Sequence, residues 1–215
     1  MQNFIITLVL FLLSLFVSAQ EAPKKFLIEK GTWSLGGSFA VGSAHTSSER
    51  VDYPRDFKTF SFNIRPDVGY FIAPNLQAGI QLGYGYSKNK YEESVLTELK
   101  RNSFSIAPYL RKFFGLSSKF SVSLTGSPYY NFSQNDEYSD NEQFGQLRSE
   151  NYGVNIRPGI FFMLSEKFSL NADFGRLYYS HFSDSRDGED REKSDQFGLS
   201  FSTDNIWIGL RYYIN

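Results

Sequence analysis

The stretch from Leu76 to Tyr86 reads LQAGIQLGYGY, in which apolar side chains alternate with glycine or glutamine. Side chains two residues apart share one face of a β-strand, so this period predicts a strand with one apolar and one polar face. Further segments repeat the pattern, which predicts eight strands in total. The apolar faces of the other predicted strands start at Trp33, Phe60, Phe104, Phe120, Tyr152, Phe168 and Ile206.

The connections between these segments alternate between short and long. Short turns are predicted at residues 73–75, 115–118 and 165–167. Long, polar connections are predicted at residues 43–56, 87–100, 133–149 and 183–195. Short turns on one side and long loops on the other are typical of an up-and-down barrel in an outer membrane, with the short turns in the periplasm.

Composition argues against several classes of function. The chain has 215 residues, which suits one domain, and its formal net charge of −1 provides no bulk positive field for a nucleic acid. Cysteine is absent, which excludes disulfides, thiolate zinc sites and cysteine nucleophiles. The only histidines, His45 and His181, lie far apart in sequence. We therefore expect no nucleic-acid partner, no metal and no other cofactor.

Two all-β folds fit the alternation, and they differ in where the apolar face points. A soluble eight-stranded cup turns this face inward around a ligand, whereas a membrane barrel turns it outward to lipid. The minority face here consists of Gly, Ser, Asn, Gln, Arg and Asp. Aromatic residues also recur at strand ends, as in the girdles of membrane barrels, namely Tyr70, Tyr84, Tyr86, Tyr130, Tyr178 and Tyr212. The sequence therefore predicts an all-β, eight-stranded antiparallel up-and-down transmembrane β-barrel, with the soluble cup as the alternative.

The N-terminal segment has the pattern of a secretory signal. Residues 4–16 are almost entirely apolar but too few to span a membrane as a helix, and small residues follow up to Ala19. We expect cleavage before Gln20 and residence in the outer membrane of a diderm bacterium, with a retained N-terminal anchor as the alternative. The predicted organisation is a signal peptide at 1–19, a short periplasmic lead at 20–30 and an outer-membrane β-barrel at 31–215.

An internal repeat marks three of the predicted strands. Residues 63–66, 105–108 and 155–158 share a phrase of Asn or Ser, then Ile, then Arg or Ala, then Pro. Each copy precedes apolar alternation, a short turn and a new strand, so the repeating unit is a hairpin. Proline cannot donate a hydrogen bond to the ladder, so we expect a local bulge or a missing bond at each proline rather than a strand break.

Three stretches of the sequence resemble a known family. They are PDVGYF at 66–71, NLQAG at 75–79 and GLRYYI at 209–214. On these stretches the whole mature chain resembles the small eight-stranded outer-membrane barrels. This group is the outer membrane protein beta-barrel domain or porin family, with OmpX- and OmpA-like barrels. The resemblance implies contact with outer-membrane lipid and lipopolysaccharide, biogenesis by periplasmic chaperones and the barrel-assembly machinery, and a monomer. It also implies a C-terminal assembly signal that contains Gly209, Tyr212 and Ile214.

Charged and amide side chains on the polar face are predicted to fill the lumen. The predicted lumen network comprises Arg65, Asp67, Gln81, Arg111, Arg157, Asp173 and Arg211. Counting from the short turns places Arg157 within reach of an ion pair with Asp173, and it places Arg65 and Asp67 beside Gln81. Eight strands enclose a space that side chains can fill, which favours a plug over a conducting path. In a conducting lumen, four arginines against two aspartates would favour anions weakly.

A short motif raises an enzymatic alternative. His181 and Ser183 would share one face of a strand, and outer-membrane lipid A deacylases use a His-x-Ser pair near the outer rim. The carboxylate partner would be Asp184 or Glu189, but a three-residue match in a Ser-rich chain is weak, and we expect no enzyme. The first hypothesis is a structural or surface-interaction (adhesin-like) barrel whose outer loops meet lipopolysaccharide, other cells or host molecules. A narrow porin-like channel comes second, and a lipid A hydrolase at the rim comes third.

Overall fold

The structure is a computed structural model that describes residues 26–48, 55–92, 97–139, 142–186, 191–200 and 207–214. The predicted signal peptide at 1–19 lies outside the described residues. Within them, no helix has the length and apolar character needed to cross a membrane. The strands are β1 (Trp33–Ser48), β2 (Arg55–Ala73), β3 (Leu76–Glu92), β4 (Glu98–Gly115), β5 (Phe120–Ser139), β6 (Glu142–Met163), β7 (Phe168–Asp173), β8 (Arg176–Arg186), β9 (Glu192–Ser200) and β10 (Trp207–Ile214).

Eight of these strands close into an antiparallel ring. Each strand from β1 to β7 pairs with the next, β10 pairs with β7, and β10 also pairs with β1. The closing ladder runs from the Trp33–Ile214 pair to the Gly37–Leu210 pair. The predicted eight-stranded barrel is therefore confirmed.

A bulge divides the seventh strand of the barrel into β7 and β8. Both pair with β6, but the register shifts by one residue between the Gly159–Asp173 pair and the Ile156–Leu177 pair. Gly175 lies at this shift with a φ of 77°, a conformation that glycine adopts without the steric cost of a Cβ. An extra residue in one strand changes which face the following side chains point to.

This bulge makes one girdle assignment wrong. Tyr178 lies directly opposite Asn155, whose side chain is on the lumen face, and the guanidinium carbon of Arg176 is 4.4 Å from the centroid of the Tyr178 ring. Tyr178 therefore faces the lumen and not lipid. The period-two count from the start of β7 misses the extra residue at Gly175.

Burial alternates along the strands as the sequence pattern predicts. On β5, the Thr125 side chain is fully buried in the lumen whereas Leu124 is 46% exposed on the outer surface. The buried positions of β5 carry Ser121, Ser123, Thr125, Ser127 and Asn135, and the exposed ones carry apolar side chains or proline. Polar residues thus face the lumen and apolar residues face outward, which is the arrangement that surrounding lipid requires.

The predicted short turns are confirmed, but the predicted long loops are mostly strand. Strand β5 runs to Ser139 and β6 begins at Glu142, and these two residues still pair. We call the ends of the hairpins β1–β2, β3–β4, β5–β6 and β8–β9 the hairpin end, and the opposite end the short-turn end. The loop prediction was wrong because polar side chains mark exposure to water, while the backbone ladder continues beyond the apolar belt.

The ladder is disturbed beside each repeated proline. The β2–β3 ladder skips Pro66, and the β4–β5 ladder skips Pro108. Beside Pro158 the ladder of β6 shifts register from β7 to β8. The strands continue through all three prolines, which confirms the expected bulges or missing bonds.

The lead before β1 folds into the short-turn end of the barrel. The Asn75 side chain accepts a hydrogen bond from the Ile28 backbone N–H at 2.8 Å and donates one to the Phe26 carbonyl at 3.0 Å. The Asn75 backbone N–H donates to the Ile28 carbonyl at 3.0 Å. Asn75 itself has a φ of 57°, a left-handed conformation that Asn tolerates better than most residues. One turn residue therefore fastens the lead to the barrel.

Replacing Asn75 with alanine should lower the free energy of unfolding by about 2 to 4 kcal/mol. The loss combines two hydrogen bonds with the left-handed conformation, which alanine tolerates less well than asparagine does. Asn75→Gly removes the same bonds without that conformational cost, so it should cost about 1 kcal/mol less. Urea unfolding in lipid vesicles measures both. Wild-type stability in the alanine variant would contradict the fastening role.

Candidate functional site

A polar cavity of about 220 Å³ occupies the lumen between the apolar short-turn end and the wider hairpin end. The structure brings every residue of the predicted lumen network to its wall, namely Arg65, Asp67, Gln81, Arg111, Arg157, Asp173 and Arg211. These side chains come from different strands, and they meet because each occupies a lumen position of the period-two pattern. Arg176 also lines this cavity, although sequence reasoning did not include it.

The strongest contact in this cavity is a buried ion pair between Arg211 and Asp67. Two guanidinium nitrogens of Arg211 donate to the two carboxylate oxygens of Asp67, at 2.6 and 2.9 Å. Arg211 also donates to the Ser34 hydroxyl at 3.0 Å, and the Tyr109 hydroxyl donates to Asp67 at 3.0 Å. A Cβ at Gly36 would lie only 2.9 Å from an Asp67 oxygen, so glycine lets the pair approach the wall closely.

Arg111 lies beside this pair and is almost completely buried. Its Nε donates to the Thr125 hydroxyl at 2.8 Å. Its guanidinium carbon lies 4.8 Å from the Tyr109 ring centroid and 5.2 Å from that of Phe161, within the range of cation–π attraction. The Nη1 of Arg111 is buried without a hydrogen-bond partner in the described part of the chain.

The expected ion pair between Arg157 and Asp173 does not form. Asp173 lies opposite Gly159, so Arg157 sits one diagonal step away on the lumen face. Buried atoms of both side chains, the Nε of Arg157 and the Oδ1 of Asp173, have no hydrogen-bond partner among the described residues. The two residues thus occupy the expected lumen positions one diagonal step apart, but their side chains do not form the expected ion pair.

An apolar plug closes the short-turn end below the polar cavity. We define the plug as Phe26, Phe71, Phe113, Phe161 and Tyr213, whose side chains are at most 3% exposed. The Phe113 ring centroid lies 4.7 Å from that of Phe161, 5.6 Å from that of Phe71 and 5.9 Å from that of Phe26. Ring pairs in this range pack favourably and leave little space between them.

Sequence reasoning missed the plug because it assigned aromatic residues to the lipid side. A signal for it exists in aromatic doublets that recur where strands meet the short-turn end. In each doublet one ring faces lipid and the other faces the lumen. The doublets are Tyr70-Phe71, Phe113-Phe114, Phe161-Phe162 and Tyr212-Tyr213.

Above the polar cavity the lumen widens into a second cavity of about 490 Å³. Arg65 lines both spaces, so they are adjacent. The upper wall is mostly polar and includes Asn63, Gly83, Gly85, Arg101, Ser103, Ser105, Asn131 and Asn151. Small and amide side chains at this level leave the space that larger ones fill at the short-turn end.

The weak catalytic candidates lie on one strand, β8, but do not interact as a triad. The Nδ1 of His181 lies 2.9 Å from a carboxylate oxygen of Asp195, not of Asp184, and the His181 ring packs on Tyr152 at 5.0 Å. The other proposed carboxylate, Glu189, lies outside the described residues. The Ser183 hydroxyl is buried without a hydrogen-bond partner in the described ranges. The hydrogen bond that a His base needs to activate Ser183 is therefore not made.

The residues of the predicted assembly signal lie on β10, the strand that closes the ring. Ile214 pairs with Trp33 of β1, and the Tyr212 ring packs on Phe168 of β7 at 5.0 Å. A Cβ at Gly209 would lie 3.0 Å from the Gly37 carbonyl oxygen, so a larger residue would crowd the closing ladder. Their role as an assembly signal stays a prediction.

Comparison with solved structures finds other bacterial outer-membrane proteins. A major outer membrane protein from Thermus thermophilus is 13% identical, with a TM-score of 0.48, and the match covers 86% of this chain and 100% of that one. OprG from Pseudomonas aeruginosa is also 13% identical, with a TM-score of 0.48 and coverage of 87% and 97%. Neisserial surface protein A is 16% identical, with a TM-score of 0.43 and coverage of 85% and 99%.

Sequence comparison identifies the family. No curated relative matches the chain. The model of the family described as "Outer membrane protein beta-barrel domain" matches residues 7–212, which confirms the resemblance seen in the sequence. Because this match spans nearly the whole chain, the protein belongs to the outer membrane protein beta-barrel family and resides in the bacterial outer membrane.

Proposed function

We propose that this protein is a closed structural barrel that presents its hairpin end as an interaction surface outside the cell. The observation that carries the proposal is the apolar plug, in which Phe71, Phe113 and Phe161 are at most 1% exposed. The Arg211–Asp67 pair forms a second, polar layer above it. A lumen closed by the plug and crossed by this ion pair supports a scaffold and argues against a continuous water path of the kind that a porin-like channel needs.

Contacts within the β3–β4 hairpin, and from it to β5, support a rigid outer surface. Lys88 and Lys100 form ion pairs with Glu98 at 2.7 and 2.9 Å, and the Lys100 ammonium lies 4.2 Å from the Tyr138 ring centroid. Burial opposes ionisation of Glu98, but hydrogen bonds from both lysines hold the pKa of its carboxyl below its usual range. A rigid scaffold that carries exposed polar hairpins is a common platform for binding.

Further cross-links extend this surface around the barrel. Arg186 of β8 pairs with Glu137 of β5 at 3.0 Å. Asp136 accepts hydrogen bonds from the side-chain amides of Gln134, Gln143 and Gln146. The hairpin end is thus polar on both strands of its longest hairpin, which suits lipopolysaccharide sugars, other cells or host molecules as partners.

The conductance of single molecules in planar bilayers tests this proposal. Wild-type protein should carry no steady current, because the plug and the ion pair block the lumen. Phe71→Ala with Phe161→Ala should introduce current by removing two plug rings. Phe114→Ala with Phe162→Ala is the matched control, since it removes lipid-facing rings beside plug residues and should stay silent. Sustained current through the wild type would overturn the closed barrel and favour the narrow channel.

A rim hydrolase stays the weaker alternative. It would require Ser183 to approach His181, with the Asp195 carboxylate orienting the ring. Mass spectrometry of lipid A from cells that express the protein measures this activity directly. Unmodified lipid A is the expected result, and loss of an acyl chain that depends on Ser183 would restore the enzymatic hypothesis.

A further inference from the structure

The polar cavity of the lumen carries more positive than negative charge. Its wall holds five arginines and two aspartates, Arg65, Arg111, Arg157, Arg176, Arg211, Asp67 and Asp173. An arginine side chain stays protonated in proteins, so it cannot shed its charge to relieve burial. A surplus of buried positive charge is unfavourable unless an anion compensates it.

Asp67 offers the other arginines no free carboxylate oxygen, because Arg211 engages both of its oxygens. Two nitrogens of the Arg211 guanidinium donate to the two carboxylate oxygens, at 2.6 and 2.9 Å. The Tyr109 hydroxyl donates a further hydrogen bond to Asp67. Bidentate pairs of this kind are among the strongest charged contacts in proteins. Of the described residues on the cavity wall, Asp173 is then the single carboxylate left.

The shortage of negatively charged partners is clearest at Arg111. This side chain is 2% exposed, and its Nε donates only to the neutral hydroxyl of Thr125. Its Nη1 has no partner in the described part of the chain, and neither has the Nε of Arg157, which flanks Thr125 from the other side on β6. Arg111 and Arg157, which line the same cavity, thus each hold one buried N–H donor without a partner among the described residues.

We propose that this cavity is a binding site for a small oxyanion, held chiefly by Arg111 and Arg157. Guanidinium donors match the oxygen atoms of phosphate or sulfate, which they bind through charge-assisted hydrogen bonds. The cavity of about 220 Å³ holds such an ion with several waters but not a lipid headgroup with its chains.

The path into the site lies on the hairpin side. The plug closes the short-turn end with side chains at most 3% exposed. The upper cavity adjoins the site at Arg65 and opens toward the hairpin end. The anion therefore enters from the extracellular side and stabilises the folded barrel by compensating buried charge.

Thermal unfolding of the full chain in detergent micelles tests the site with inorganic phosphate as the probe. Phosphate should raise the midpoint of unfolding saturably, because a ligand bound only by the folded state stabilises it by mass action. Sodium chloride at matched ionic strength controls for screening and should give a smaller, non-saturating change. The absence of a saturable rise with phosphate would overturn the proposal.

Two substitutions should move the affinity in opposite directions. Arg157→Gln removes a donor and should raise the Kd for phosphate at least tenfold, while Arg148→Gln, on the outer hairpin, should leave the Kd unchanged. Asp173→Asn removes the competing carboxylate and should lower the Kd severalfold. A purely structural role for these residues would not tighten binding in Asp173→Asn.

The outcomes are decisive even when one variant fails to fold. If Arg157→Gln cannot be refolded, the affinity of Asp173→Asn still decides the question, with line broadening of the phosphate ³¹P NMR resonance as a direct second measurement. Equal Kd values for Arg157→Gln and Arg148→Gln would overturn the proposal. Unchanged or weaker binding in Asp173→Asn would do the same.

Discussion

The variant Asp67→Asn should unfold about 3 to 5 kcal/mol more easily than the wild type, because it leaves Arg211 buried without its counter-charge. The Arg211 side chain is 1% exposed, so water cannot take over the role of the carboxylate. Asparagine has nearly the same volume as aspartate, which isolates the charge from packing. Equilibrium unfolding in urea with lipid vesicles measures the difference.

Controls separate the ion pair from general effects of losing an aspartate. Asp136→Asn on the outer hairpin keeps an acceptor for the neighbouring amides and should stay within about 0.5 kcal/mol of the wild type. Asp67→Leu with Arg211→Met removes both charges and should recover part of the loss. Wild-type stability in Asp67→Asn would mean that the pair does not hold the lumen together.

A lysine at Leu82 should destabilise the barrel by about 2 to 4 kcal/mol. Leu82 is 48% exposed on the outer face of β3, midway along the apolar positions between Leu76 and Tyr86. A charge there meets the hydrocarbon of the bilayer instead of water. Unfolding in lipid vesicles again gives the free energy.

The matched control is Leu164→Lys in the turn between β6 and β7. Leu164 is 49% exposed, which is nearly the exposure of Leu82, but it lies at the short-turn end where a lysine can reach water. The cost there should stay below about 1 kcal/mol. Similar losses at both positions would contradict the placement of the bilayer around the middle of β3.

The strands and the direction of their side chains could be predicted, because alternate residues of a membrane barrel contact lipid or the lumen. The two sets of residues therefore differ in polarity. Register near the short turns was also predictable, and Asp67 does lie opposite Gln81. The period-two assignment of side chains to the two faces fails beyond a bulge. The extra residue at Gly175 makes Tyr178 point into the lumen. Bulges depend on the fit between three adjacent strands, which a single strand does not reveal.

The contacts inside the lumen were harder to predict than its residues. Parity identified every charged residue of the cavity wall except Arg176, which follows the bulge. The partner of Asp67, however, comes from a strand far along the chain. Arg211 meets Asp67 across 144 residues, and only closure of the ring brings them together. Counting from short turns relates neighbours in sequence, so it favoured Arg157 with Asp173 instead.

Closure of the ring by β1 and β10 has a consequence for the order of events in folding. The hydrogen bond from Arg211 to Ser34 joins residues 177 positions apart, so the first strand waits for nearly the whole chain before it gains its second neighbour. Contacts this distant in sequence form slowly, and until then both terminal strands expose unpaired edges that invite aggregation. Pairing of β1 with β10 is therefore the step that ends the exposure of both edges.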